Sequence, residues 1–280
     1  MTPYKHYSDR AIACIVLPTY NEAENLPRLL PLIFREAGNI PSHELHVLVV
    51  DDNSPDGTGE IVQHTMLHYP RLHLITGDKK GLGAAYKRGI NYAISALSPE
   101  LILQMDADLQ HDPAYLPRFI QLCNEGCDVV IGSRFAHSSD LAGLPWHRKL
   151  ISLAGTKLVR WFGGIPPVTD CTSGFRCIRT EIVPSFERVP HSTRGYSFQS
   201  WFLCELLRRS SSYAEIPLPF PARAYGQSKL TFRDKLEFLA CLSHLSRSKP
   251  APRRRIAAPP RQSVPIPKPV PMEVRAQSNK

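Results

Sequence analysis

The chain has 280 residues, 42% of them hydrophobic, enough for one large α/β domain or two small ones. Its formal charge of +9 suggests nucleic acid until it is divided along the chain: residues 247–280 carry nine Lys or Arg and one acid, +8, leaving +1 for the first 246. A near-neutral body disfavours a nucleic-acid groove, so nucleic acid is not an expected partner.

The first ten residues are polar and lack a signal-peptide core. From there, apolar runs at 11–17, 45–50, 72–75, 101–105 and 129–131 read as strands buried on both faces. Between them, 22–36, 58–68, 82–97 and 113–125 read as helices, and Asp112-Pro113 supplies an N-cap and a first-turn proline. The alternation predicts βαβ units and a Rossmann-like α/β class, with a mostly parallel sheet flanked by helices. The second half is less regular. Residues 146–162 form an amphipathic helical pattern with His147, Arg148, Lys149, Lys157 and Arg160 among apolar positions. Residues 196–209 read as a helix, 213–216 as a short strand and 232–245 as an apolar-faced helix. Beyond Ser246 the chain turns to Pro, Arg, Lys and Ala, a composition too poor in apolar residues to fold alone. The expected division is a domain over 1–246 and a basic tail over 247–280. No run approaches the ~18 apolar residues of a membrane span. Seven cysteines (Cys14, Cys123, Cys127, Cys171, Cys177, Cys204, Cys241) show no CxxC pair or zinc spacing. They are expected as reduced thiols filling core space, in keeping with a cytosolic setting.

In a parallel α/β sheet, ligands bind beyond the carboxyl ends of the strands, and three strands here end in polar clusters. Asp106-Ala107-Asp108 follows the run at 101–105. Paired carboxylates are hard oxygen donors suited to Mg²⁺ or Mn²⁺, and a departing pyrophosphate needs such an ion as charge grows on its oxygens. Alone, the pair also fits a capping loop of solvated acids. Asp51-Asp52-Asn53-Ser54-Pro55-Asp56-Gly57-Thr58 offers carboxylates to a base or ribose, with turn chemistry as the other reading. Lys79-Lys80-Gly81-Leu82-Gly83 resembles a phosphate loop at a helix N-terminus. It fails as a dinucleotide fingerprint, because Tyr86 stands where a small residue belongs. Arg134 ends the fifth strand; Asp170–Arg176 and the basic group at 223–229 follow. Such arginines suit phosphates, although each alone also fits an ordinary surface position.

Taken together in this order, these residues resemble the polyprenyl-phosphate or dolichyl-phosphate mannosyltransferases of glycosyltransferase family 2. The matching stretches are PTYNE (18–22), DDNSPDGT (51–58), KGLGAAYKRG (80–89), DADLQHDP (106–113), GSRF (132–135), SGFR (173–176), GYSFQ (195–199) and YGQSKL (225–230). The resemblance implies a glycosyltransferase A-type fold and inverting transfer of mannose from GDP-mannose to a polyisoprenyl phosphate. A UDP-sugar donor carrying glucose or N-acetylglucosamine is the alternative. By the family's pattern, Asp106, Asp108 and Gln110 hold the metal, and Pro18, Tyr20, Glu22 and Asp52 line the nucleoside pocket. Arg134, Arg148 and Arg223 face phosphates, with Ser152, Lys229 and the loop residue Lys80 as further substrate contacts. Asp108, Arg134 and Arg148 then carry the catalysis. The expected location is peripheral, on the cytoplasmic face of a membrane, with room for a membrane-anchored partner subunit. One position departs from the pattern: relatives carry an acid two residues after the SFQ glutamine, where this chain has Trp201. Glu205 lies one helical turn on as a candidate substitute, and nothing in the sequence shows whether it serves.

Overall fold

The run AIACIVLPT has no charged residue and forms an inner strand, β1 (Ala11–Thr19), buried along most of its length. It pairs in parallel with β2 (His43–Asp51) on one side and β4 (Leu101–Gln104) on the other, and β2 pairs in parallel with β3 (Leu72–Thr76). The computed structural model describes residues 10–136, 146–188, 193, 195, 197–219 and 232–247. Its seven-stranded sheet is completed by β5 (Val129–Ser133), β6 (Arg176–Arg179) and β7 (Tyr213–Pro217), in the order β3-β2-β1-β4-β6-β5-β7. β6 runs antiparallel to both β4 and β5, and every other pairing is parallel. The chain winds outward from β1 to β3, then returns to β4 on the far side of β1. A topological switch therefore opens between β1 and β4, where a ligand crevice is expected.

Side chains alternate across the strands, and each face of the sheet acquires its own core. On one face, Ile15, Leu17, Val47 and Val49 pack against α1 (Leu26–Glu36), α2 (Thr58–Met66) and α4 (Leu116–Asn124). On the other, Cys14, Val16, Leu48 and Val50 pack against α3 (Leu82–Tyr92) and α6 (Ser197–Arg209). α5 (Trp146–Gly163) and α7 (Phe232–Arg247) add Val159, Cys241, Leu242 and Leu245 to that layer. All seven cysteines are buried and free, so the expectation of core-filling thiols holds. Burial pushes the thiols of Cys14, Cys171 and Cys241 up to about 12, which makes them poor nucleophiles.

The architecture is the mostly parallel sheet flanked by helices that the patterning predicts, with three differences. β3 is an edge strand, only half-buried past its first residue, because one flank has no neighbour. β6 was not among the expected strands; its RCIR sequence is short and charged at both ends. α1 starts at Leu26 and not at residue 22, because the amides of residues 21–23 are held by hydrogen bonds to the loop after β2.

α3 crosses β1 and β2 with Gly89 at the crossing. A Cβ there would stand 2.5 Å from Cγ1 of Val16 and 2.6 Å from Cγ2 of Val50, so the helix lies as close to the sheet as hydrogen allows. Gly89→Ala should therefore lower stability by about 1–3 kcal/mol, as overpacking does. Urea unfolding followed by circular dichroism measures this; an unchanged midpoint would show that the helix moves off without cost.

Candidate active site

Two loops meet at the carboxyl end of β1 and β2. Asp51, the last residue of β2, accepts from the Thr19 hydroxyl (2.9 Å), the Ser54 hydroxyl (2.6 Å) and the Ser54 amide (2.8 Å). The Ser54 oxygen in turn accepts from the Asn21 amide, and Asp56 accepts from the Ala23 amide and from Thr58. Asp51 and Asp56 are thus spent on fastening residues 19–23 to residues 51–58. Asp52 is the acid left facing the crevice. It is buried, and its Oδ1 accepts from Nη2 of Arg88 on α3 at 2.7 Å. Burial raises its carboxyl above the ordinary value, against the pull of Arg88. The Arg88 guanidinium lies flat on Gly77, where a Cβ would come within 2.8 Å of Cζ. Lys79 sets its ammonium 3.3 Å from the centre of the Tyr20 ring, a cation–π contact at the crevice mouth. Pro18 and Tyr20 are half-buried on the same side of the chain, and Glu22 accepts from the Asn25 amide at 2.6 Å. Lys80 instead pairs with Asp78 at 3.1 Å, both well exposed.

Beyond β4 the burial alternates: Met105, Ala107, Leu109 and His111 are buried, whereas Asp106, Asp108 and Gln110 are half-buried. Alternation turns three oxygen-bearing side chains toward one open side. The Gln110 amide donates to Oδ1 of Asp108 at 3.1 Å, and Leu109 takes a left-handed φ of 63° to close that turn. His111 accepts from the Asp106 amide through Nδ1 at 3.0 Å and stacks on Phe175. Tyr86 donates from Oη to Oδ1 of Asp106 at 3.2 Å. Burial, then the Asp106 charge, push the Tyr86 phenol well above its ordinary value, so it remains a donor.

Antiparallel β6 brings a further loop to this rim, since its first residue, Arg176, pairs with Gln104 of β4 and Ile131 of β5. Within that loop Asp170 is fully buried and holds Arg134 in a two-point ion pair, Nε–Oδ2 2.7 Å and Nη2–Oδ1 2.9 Å. Thr172 also accepts from Arg134 Nη2 at 2.5 Å. Burial alone would raise the Asp170 carboxyl; Arg134 outweighs it, aided by Thr172, and holds the group below the usual range. Burial alone would lower the Arg134 guanidinium; Asp170, then Asp106, outweigh it and raise it.

The structure thus brings Tyr20 and Asp52 to the rim on one side of the switch, and Asp106, Asp108, Gln110 and Arg134 on the other. Ser152 is half-buried on α5, and Arg148 lies in the first turn of that helix with its side chain outside the described residues. Arg223, Lys229 and residues 248–280 also lie outside them. Two expectations are corrected. Arg176 is no phosphate contact: it is fully buried, donates to the carbonyls of Gln199 and Cys171, and is lowered to about 10 by burial. Glu205 does not replace the missing acid, because it pairs with Arg208 and Arg209, while Trp201 packs in the core. Arg88, Lys79 and Asp170 were missed as site residues. Each falls in or beside a motif, but only the fold shows which acid or ring it meets.

The donor set at 106, 108 and 110 fits a hard divalent cation. Two carboxylates and an amide give oxygen ligands with an open side for phosphate and water. Among the described residues no three His, Cys, Asp or Glu side chains converge on a point, so such an ion needs substrate oxygens to complete its shell. Gly174 keeps the space beside Asp106 clear: a Cβ there would stand 3.3 Å from each carboxylate oxygen.

Residues 14–185 match the model of the glycosyl transferase family 2. The chain is 32% identical to the polyprenol monophosphomannose synthase of Mycolicibacterium smegmatis, covering 78% of this chain and 80% of that protein. It is 35% identical to the undecaprenyl-phosphate mannosyltransferase of Micrococcus luteus, covering 77% and 86%. In fold it resembles glucosyl-3-phosphoglycerate synthase of Mycobacterium tuberculosis, solved with Mn²⁺, UDP-glucose and phosphoglyceric acid. That similarity has a TM-score of 0.58 at 18% identity and covers 86% of this chain and 81% of that one.

The Arg134–Asp170 pair has a defined acid signature. A depressed folded pKa contributes stability above the unfolded value of about 3.9 and loses it as pH falls through the folded value. Asp170→Asn should cost about 3–5 kcal/mol at pH 7, since it strands a buried guanidinium. The difference from wild type should shrink below about pH 4. Urea unfolding across pH 3–7 measures both, and a pH-independent difference would contradict the pairing.

Proposed function

Because this chain belongs to glycosyltransferase family 2, we propose that it transfers mannose from GDP-mannose to a polyisoprenyl phosphate with inversion, giving a β-linked product. That it is a hexosyltransferase follows from the family and its named relatives. The observation that carries the finer reading is the common rim of the oxygen donors and Arg134, close enough for the Asp106 charge to raise the guanidinium. An anionic donor and an anionic acceptor both need such a place.

In this reading Tyr20 stacks with the nucleoside, Pro18 and Glu22 shape its pocket, and Asp52 accepts from the base. Asp106, Asp108 and Gln110 hold Mg²⁺ or Mn²⁺ against the diphosphate. The ion supplies charge stabilisation as the bond to the anomeric carbon breaks. Arg134, braced by Asp170, meets phosphate with its guanidinium already oriented, so little ordering remains for the reaction itself. Arg148, Ser152, Arg223, Lys80 and Lys229 complete the phosphate contacts. The acceptor is a phosphate monoester whose second pKa is about 6, so it is a competent nucleophile near neutral pH and needs no protein base.

Incubating the protein with radiolabelled GDP-mannose and a short polyprenyl phosphate, with and without divalent cation, tests the reading. Lipid-extractable mannose is expected only with cation. Asp108→Asn should lower turnover on the order of a thousandfold. Label transfer from UDP-glucose or UDP-N-acetylglucosamine, and none from GDP-mannose, would replace the donor.

The lipid acceptor must be met at a membrane surface. No helix among the described residues is long and apolar enough to cross a bilayer. α5 and α7 lie together and expose Trp161, Leu236 and Leu239, with Trp161 72% accessible. Such a face suits the headgroup layer on the cytoplasmic side, with the basic 247–280 tail attracted to anionic lipid and a membrane-anchored subunit as a further attachment. Co-sedimentation with anionic liposomes should fall severalfold for Trp161→Ser and for residues 1–246 alone. Binding equal to wild type in both would remove the helices and the tail from membrane contact.

A further inference from the structure

Two motifs, SGFR and SFQ, remain without a role at the substrate. Arg176 is fully buried in the sheet, and its Nη1 donates to the Gln199 carbonyl at 2.9 Å and to Oε1 of the Gln199 side chain at 3.4 Å. Nε2 of Gln104 donates to the same Oε1 at 3.4 Å. Two donors on one atom settle which end of the amide is oxygen, so Nε2 of Gln199 points the other way as an N–H donor. That nitrogen is buried and lies against the Tyr86 phenol, on which the Gln199 amide acts as a donor without closing a full hydrogen bond. It also meets the gap left by Gly174. The point a Cβ would occupy there is 3.1 Å from Nε2 of Gln199 and 3.3 Å from both carboxylate oxygens of Asp106. Tyr86 contacts the same carboxylate from α3, through Oη at 3.2 Å from Oδ1. The Gln199 amide thus stands behind the tyrosine that bonds Asp106.

We infer that Tyr86 and, behind it, Gln199 are positioning residues that fix the rotamer of the Asp106 carboxylate for the divalent cation. The inference rests on the metal-site reading above. Arg176 and Gln104 orient the Gln199 amide, that amide steadies the Tyr86 phenol, and Tyr86 bonds one carboxylate oxygen of Asp106. Groups behind a metal ligand commonly govern its affinity in this manner. The assignment also explains why a tyrosine stands on α3, just after the glycine-rich loop, where a small residue would serve a dinucleotide.

The test uses the full chain with saturating GDP. Free Mn²⁺ is followed by electron paramagnetic resonance, GDP binding without metal by calorimetry, and metal-free thermal unfolding by circular dichroism. Tyr86→Phe and Gln199→Met should each weaken Mn²⁺ binding about tenfold, with metal-free GDP affinity and unfolding temperature unchanged. Wild-type Mn²⁺ affinity in both variants overturns the inference alone. So does a loss of Mn²⁺ affinity matched by equal losses in metal-free GDP binding and unfolding temperature, which marks a purely structural role. If wild type itself binds no Mn²⁺ with GDP, the metal-site reading falls and takes the inference with it. Should Tyr86→Phe fail to fold, Gln199→Met decides, because Arg176 keeps its bond to the carbonyl of residue 199.

Discussion

β4 and β5 run in the same direction but never touch, because β6 lies between them and runs the other way. That reversal governs the site. A parallel strand there would start at the bottom of the sheet and send its preceding loop to the wrong edge. Antiparallel, β6 begins at the rim, so the loop from Asp170 to Phe175 arrives beside Asp106 and Arg134. The reversed strand also carries Arg176 into the interior. A buried guanidinium with no carboxylate bonded to it is costly, and here carbonyl oxygens of Gln199 and Cys171 accept from its two Nη atoms, while Nε has no hydrogen-bond partner among the described residues. The same bonds fasten the start of α6 to the sheet.

Charge is distributed by role around the rim. Asp51, Asp56 and Asp170 are consumed by hydroxyls, amides and a guanidinium, and each fastens one loop to another. Asp52, Asp106 and Asp108 border the crevice, where Arg88 bonds Asp52 and Tyr86 bonds Asp106. The first group makes the second possible: an acid presented to a phosphate-bearing ligand is useful only if its loop does not move when the ligand's charge arrives. The buried pair Arg134–Asp170 shows both functions at once, since the acid orients the base that faces the crevice.

Much of this was legible in the chain. The apolar runs of β1, β2, β4 and β5 and the periodic segments of α3 and α4 are long and clearly bounded, and the structure reproduces them within a few residues. β6 was not, because four residues flanked by arginines carry no strand pattern and acquire one only from partners on both sides. Burial of Arg176 has the same cause: nothing in SGFR separates an arginine aimed at solvent from one bonded to backbone carbonyls 5 and 23 residues away.

Sequence alone determined which chemical groups stand at the strand ends, because strand length and polar termination are local properties of the chain. Asp52, Asp106, Asp108 and Arg134 were found in that way, whereas Gln110 came only with the family resemblance. Tertiary structure alone decided which of those groups are spent on each other. Thr19 finds Asp51, Arg88 finds Asp52, and Asp170 finds Arg134 across separations of 32, 36 and 36 residues. Pairing at such range follows from strand order and direction, which no local pattern encodes.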